Sequence, residues 1–272
     1  MRILIEHTTR YDYDTPTKGI IQLLRMTPRA HDGQHVLSWR VEVDGDLKLN
    51  AGEDALGNIT HLFTEPGPLK RLEARVQGEV DTRDTGGVVE GAVERFPPLV
   101  FLRETALTQP DAALRDFARA ETDKEGSTLS KLHALLHAVE GQIAFDTDAT
   151  KVATSAAQAF ELKRGVCQDL TQIFVTAARV LGIPARYVSG HLSRTEQIEQ
   201  DAAHAWAEAY VDGLGWVGFD AVNGMCPTET YVRVAIGLDY LGAAPVRGSR
   251  QGGGVEHLDV KLRVTPAYQN QS

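Results

Sequence analysis

Apolar and polar residues change period along this chain, and the change divides it. In the first third the alternation is two. Arg2 to Tyr11 places Ile3, Ile5 and His7 on one face and Leu4, Glu6 and Thr8 on the other. Val36–Val43, Ile59–Phe63 and Leu72–Val80 continue in the same manner, separated by the turn signals Asp44-Gly45, Gly57-Asn58 and Pro66-Gly67. Short alternating runs at such intervals predict an antiparallel β-sandwich. Between Thr82 and Pro98 the composition shifts to Gly, Glu, Asp and Pro, which predicts a linker, taken as residues 86–105 between a β domain (1–85) and a second unit (106–272).

Beyond it the period becomes helical. Leu114, Phe117 and Ala118 form an apolar stripe over Asp111–Thr122. Leu129, Leu132, Leu136 and Val139 predict a stronger helix over Ser127–Glu140, stopped by Gly141. A third helix is predicted from Val166, with Leu170, Ile173, Phe174, Ala177 and Leu181 inward, Gly182 at its C-cap and Pro184 just beyond. Alternation then returns at Ala185–Ser189, Ala203–Val211, Trp216–Asp220 and Val255–Val264. Helices followed by an antiparallel sheet make the whole an α+β chain.

Composition narrows the class. The chain has 272 residues, 42% hydrophobic and 24% charged, with a formal net charge of −9. That sign gives no general attraction to nucleic acid or to anionic lipid. The apolar start Ile3-Leu4-Ile5 is too short for a signal peptide. The apolar run Ile173–Ile183 is broken by Arg179 and too short to span a bilayer, so a soluble, cytoplasmic protein is expected. Two cysteines, Cys167 and Cys226, make neither a disulfide framework nor a four-thiolate zinc site. His133 and His137 stand four apart on a helix but lack a third ligand, so no metal or other cofactor is expected.

Candidate chemistry gathers on Cys167, His204 and Asp220. A thiol attacks a carbonyl well as a thiolate, an adjacent imidazole generates one, and the imidazole needs an acceptor to fix its tautomer. Cys167 lies where the third helix starts, so unpaired N–H groups and the helix dipole favour a thiolate, and its own amide is a natural first oxyanion donor. Gly165 is expected to let substrate approach the backbone. Asp169 is expected to support the first turn, and Trp206 to wall the core or cleft. In Ala203–Tyr210, His204, Trp206, Glu208 and Tyr210 share one face and alanines the other. With Asp212–Gly215 as a hairpin loop, His204 and Asp220 fall at the same open end of neighbouring strands.

Gly165-Val166-Cys167-Gln168-Asp169, Gly182-Ile183-Pro184-Ala185-Arg186-Tyr187-Val188-Ser189-Gly190, His204-Ala205-Trp206-Ala207-Glu208 and Gly215-Trp216-Val217-Gly218-Phe219-Asp220, preceded by Thr150–Thr154, together resemble the bacterial transglutaminase-like family. Tyr11-Asp12-Tyr13 and Leu23–Arg29 resemble that family's N-terminal β domain. The resemblance implies a papain-like core in which Cys167 is the nucleophile, His204 the general base and acid, and Asp220 the orienting carboxylate. It implies a protein or peptide substrate, no cofactor, and cleavage or transfer of acyl groups through a thioester; hydrolysis is placed slightly ahead of transamidation because water is always present and the sequence shows no amine pocket. The alternatives are a binding module with a vestigial core, and an acyl-coenzyme A transferase with the same residue order. The chain departs from the family pattern at Leu170-Thr171-Gln172 and at Phe145, positions that bear on substrate preference.

Overall fold

The computed structural model describes residues 1–44, 48–194, 199–200 and 202–267; Gly45 of the Asp44-Gly45 turn lies outside them. In chain order, β1 (Arg2–Thr27), β2 (Gln34–Val43), β3 (Asn50–Glu53), β4 (Ile59–Glu65) and β5 (Leu69–Thr82) precede β6 (Val88–Val89) and a 3₁₀ turn at Pro98–Leu102. Then come α1 (Ala112–Thr122), α2 (Thr128–Gln142), β7 (Ala144–Phe145), α3 (Ala156–Leu162), β8 (Arg164–Gly165) and α4 (Cys167–Val180). The remainder is β9 (Ala185–Leu192), β10 (Glu199–Gln200), β11 (His204–Val211), β12 (Gly215–Phe219), β13 (Tyr231–Gly237), α5 (Tyr240–Ala243), β14 (Val246–Gly252) and β15 (Glu256–Pro266). The fold is α+β with antiparallel, curled sheets.

One strand organises the first sheet. β1 runs for 26 residues, and its register breaks between Asp12 and Thr17. Its first half pairs with β5 and β15, its second half with β4 and β14. The sheet therefore folds across itself. Tyr11, Leu72, Ala74 and Val76 of one half pack with Ile20, Leu24 and Phe63 of the other. The predicted strand near Val255–Val264 forms, but in this first sheet and not beside the helices. A pair of side-chain amides ties the sheet to β13. Gln34 bonds the backbone of Arg233 in both directions (2.8 and 2.7 Å), and Asn58 does the same at Ile236 (2.8 and 2.8 Å).

The second sheet has the order β13-β9-β11-β12-β6. The segment read as a linker is anchored to it. Val88 and Val89 pair with Val217 and Trp216, Phe101 packs edge-on against Trp216 at 5.1 Å, and Glu94 grips Arg186. Helices α1 to α4 cover one face. The apolar stripes of α1 and α2 are buried as their periodicity predicts, with Asp111 and Ser127 capping the first turns. Gly141 does not end α2, which runs on through Gln142. The short α3 escaped the hydrophobic pattern, although Ser155-x-x-Gln158 forms a reciprocal capping box at its start. The alanine face of β11 lets α4 lie close against the sheet, with Ala207 and Ala209 in the same core as Leu170, Ile173 and Phe174.

Candidate active site

Cys167 is the first residue of α4, half-buried, and that turn is shaped by Asp169. The Asp169 carboxylate accepts from the Val166 amide (2.8 Å) and the Thr150 hydroxyl (2.6 Å), which caps the helix end that carries the thiol. Burial pushes the Asp169 carboxyl above its usual range, opposed by those two hydrogen bonds. Gly165 makes room for this contact: a Cβ there would stand 2.6 Å from Asp169 Oδ2.

His204 enters from the start of β11. Ala207 pairs with Phe219, so Asp220 follows β12 opposite Trp206, on the face that also carries His204. Within that geometry His204 Nε2 meets Asp220 Oδ2 at 2.6 Å. The carboxylate is saturated. Asp220 Oδ2 also accepts from Asn223 Nδ2 (2.6 Å) and the Tyr231 hydroxyl (2.7 Å), and Oδ1 accepts from the Val222 amide (2.9 Å) and the Asn223 amide (3.3 Å). Burial alone would raise the Asp220 carboxyl. The bonds from His204, Tyr231 and Asn223 outweigh it and hold the group below its ordinary range.

The imidazole behaves in the opposite sense. Burial would lower its pKa, but hydrogen bonding and charge from Asp220 and from Cys167 override that and lift it to about 9. Cys167 Sγ donates to the carbonyl of Ala203 (4.0 Å), the residue before His204, and helps raise the ring that Asp220 holds, so α4, β11 and the end of β12 converge here. Trp206 walls the site: it is buried, 6.3 Å from the His204 ring and edge-on to Tyr231 at 5.4 Å. Cys226 lies apart beside Gly87, and burial raises its thiol.

Three contributors were not legible beforehand. Tyr231 and Asn223 complete the shell of Asp220, yet β13 has no alternation strong enough to announce it, and Asn223-Gly224 reads as an ordinary turn. The third is a buried ion network behind the site. Glu208 bonds Arg186 (2.6 Å) and Arg233 (2.7 Å), Arg186 also reaches Glu94 (2.8 Å), and its guanidinium lies 3.8 Å over the Trp216 ring. Burial would raise the Glu208 carboxyl, but the two arginines hold it down at about 2. The network locks β9, β11 and β13 in register, hence the positions of His204 and Tyr231.

Other sequence candidates fall elsewhere. His137 faces Glu140 at 3.7 Å, and His133 packs edge-on to Phe219 at 5.4 Å. Among the described residues there is no group of three or more His, Cys, Asp or Glu arranged to hold a metal. No helix among them is long and apolar enough to cross a membrane.

Residues 115–221 match the family described as the transglutaminase-like superfamily, and residues 3–81 match the bacterial transglutaminase-like N-terminal region. An uncharacterized protein of Mycobacterium leprae is 28% identical over 97% of this chain and 98% of its own length. One from Haemophilus influenzae is 24% identical over 81% of this chain and 69% of its own. A crystal structure from Cytophaga hutchinsonii, provisionally described as a cysteine protease, superposes with a TM-score of 0.81 at 20% identity, covering 100% of this chain and 92% of that one. At that identity the likeness is one of fold.

Proposed function

We propose, since this chain belongs to the transglutaminase-like superfamily, that it is a cysteine enzyme of acyl transfer in which Cys167, His204 and Asp220 act as a triad. The observation that carries the reading is the 2.6 Å bond between His204 Nε2 and Asp220 Oδ2, on a ring that Cys167 also helps raise. With Nε2 committed to the carboxylate, Nδ1 is left to the thiol. Such a ring takes the thiol proton and holds it as imidazolium.

The Cys167 thiolate then attacks an amide carbonyl carbon, forming the C–S bond while the oxygen takes the negative charge. At the start of α4 the free N–H groups are suited to that oxygen. Collapse breaks the C–N bond, and the His204 proton passes to the departing amine. A thioester remains. Water, deprotonated by His204, adds to it, and loss of the thiolate gives an acid; a primary amine in place of water gives a new amide. We favour hydrolysis of peptide or isopeptide bonds, because water is always at hand. A soluble cytoplasmic setting suits the net charge of −9 and an unprotected thiol.

Alkylation by iodoacetamide tests the reading. Cys167 is expected to react far faster than Cys226, whose thiol burial holds protonated, and to lose that advantage in His204→Ala. Equal, slow labelling of both cysteines refutes the enzyme and leaves the binding-module alternative. Mass spectrometry of peptides incubated with and without a primary amine then separates cleavage, deamidation and amine incorporation.

A further inference from the structure

Beside the thiol stands a tyrosine that the triad does not use. Tyr240, at the start of α5, and Cys167 both pack on one small cluster of side chains that includes Tyr187, Ala205 and Ala243. Strand register accounts for the gathering. Tyr187 of β9 lies opposite Ala207, and Ser189 opposite Ala205, so Tyr187 shares the alanine face of β11 that α4 covers. The Cys167 sulfur sits at the head of the same strand, 4.0 Å from the Ala203 carbonyl oxygen.

Tyr240 is held from its backbone outward. Its amide donates to Gln172 Oε1 at 3.4 Å. Gln172 is fully buried on α4, about 7.5 Å along the axis from Cys167 at about 1.5 Å per residue. Its Nε2 donates to the Thr154 carbonyl at 3.4 Å. The helix that carries the nucleophile therefore also fixes the start of α5. Asp239 caps that start by accepting from the Gly242 amide (3.0 Å), and the Tyr187 ring meets the Tyr240 ring edge-on at 6.0 Å.

What is left free is the hydroxyl. Tyr187 is 2% exposed and out of reach of a substrate, whereas Tyr240 keeps part of its surface open. The hydrogen bond from Tyr240 to α4 uses its backbone, and no group among the described residues takes its hydroxyl. The sulfur bonds Ala203 and not Tyr240. The two groups are nonetheless near enough that the sulfur, after burial, raises the Tyr240 hydroxyl, which keeps its proton and stays a donor. A free donor beside a nucleophile, and not bonded to it, is placed to meet the oxygen of the group under attack.

We propose that Tyr240 is the side-chain donor of the oxyanion site, its O–H bonding the acyl oxygen as Cys167 attacks, alongside the free N–H groups at the start of α4. The assignment rests on the acyl-transfer reading and names a further catalytic residue for it. Two reagents that make different demands on full-length Tyr240→Phe test it. Iodoacetamide alkylates Cys167 by displacement of iodide from a saturated carbon, so no oxyanion forms. With p-nitrophenyl acetate the thiolate bonds the carbonyl carbon and the oxygen takes the charge; collapse expels p-nitrophenolate and leaves an acetyl thioester. Tyr240→Phe is expected to slow Cys167 acetylation on the order of a hundredfold, the value of one oxyanion donor, and to leave alkylation within about twofold of the parent. His204→Ala should slow both reactions. Mass spectrometry assigns each label to its cysteine, and retained alkylation reports that the site is intact.

Acetylation slowed less than about tenfold in Tyr240→Phe overturns the proposal. Equal slowing of both reactions also overturns it, because Tyr240 then acts on the thiolate or on packing and not on the acyl oxygen. A parent Cys167 that alkylates fast but acetylates no faster than Cys226 leaves no oxyanion to serve and overturns it likewise. The acyl-transfer reading fails by a different result, a parent Cys167 that alkylates as slowly as Cys226, and the donor role falls with it.

Discussion

Replacing Asp220 by Asn is the sharpest perturbation of the site, because it keeps the shape and removes only the charge. All five groups around the carboxylate donate: His204 Nε2, Asn223 Nδ2 and the Tyr231 hydroxyl to Oδ2, and the Val222 and Asn223 amides to Oδ1. An amide has one acceptor oxygen, so its NH₂ must face donors whichever way it turns. If the NH₂ lies on the Oδ2 side, His204 Nε2 has to become an acceptor, which moves its proton to Nδ1 and leaves no base facing the thiol. If the NH₂ lies on the Oδ1 side, two backbone N–H groups lose their partner. In either case the imidazolium loses its counter-ion while burial still opposes its charge. The ring should fall from about 9 to 6.5 or below, a change of about 3 kcal/mol or more. At pH 7.5 the charged fraction of His204 then drops from nearly all to about a tenth.

Cys167 alkylation at that pH should slow ten- to a hundredfold, on the order of 1.4 to 2.8 kcal/mol in barrier, with Cys226 as the internal reference. An NMR titration of the His204 ring reads the cause directly. Stability carries the same signature. The raised ring contributes stability that is whole below pH 6.5 and is lost as pH rises through about 9. This decline should be present in the parent and absent in Asp220→Asn. A His204 that still titrates near 9 in the variant, or alkylation within twofold of the parent, would falsify the assigned role of Asp220.

Glu208→Leu should be among the most damaging core substitutions, since Arg233 loses its carboxylate and the fully buried Arg186 keeps only Glu94. A loss of about 3–5 kcal/mol is expected, seen by calorimetry as a fall of roughly 6–15 °C, and a loss under about 1 kcal/mol would contradict the network's role. The buried rings of His7 and His191 are held neutral by burial, at about 4 and about 3, His191 also by its neighbour His7. Their contribution is intact above pH 6.5 and is lost as pH falls toward those values, at up to about 1.4 kcal/mol per pH unit for each ring. Urea midpoints between pH 4.5 and 7 should show this slope, and His7→Leu with His191→Leu should make it shallower, leaving the share of His31, which burial also holds at about 4. Gly165→Ala drives a methyl against the Asp169 carboxylate and should cost about 1–3 kcal/mol while slowing Cys167 alkylation; unchanged melting and labelling would show that Asp169 does not position the thiol.

The parts of the site that were legible are those governed by local rules. Cys167 at a helix start follows from the apolar stripe of α4 and its Gly182 stop. The shared face of His204 and Asp220 follows from strand period and a short hairpin. Trp206 follows from the same alternation. Tyr231 and Asn223 had no such signal, because their role exists only once β13 lies beside β9 and the chain after β12 turns back on Asp220. The contact of Gly165 with Asp169 was hidden for a related reason: a glycine is visible in a sequence, but the neighbour that needs its space is not.

Length, period and turn residues by themselves determined an α+β chain, most of its helices and strands, and the three residues of the candidate triad, since hydrophobic period and capping act within a few residues of one another. Tertiary structure alone decided that β1 serves two halves of one sheet, that the last two strands return to it, that the supposed linker edges the second sheet, and that Glu208 lies between the buried Arg186 and the partly buried Arg233. These are pairings between segments as far apart as Ile3 and Pro266, selected by which surfaces shed water together and which charges find counter-ions, and no local pattern in the chain encodes that choice.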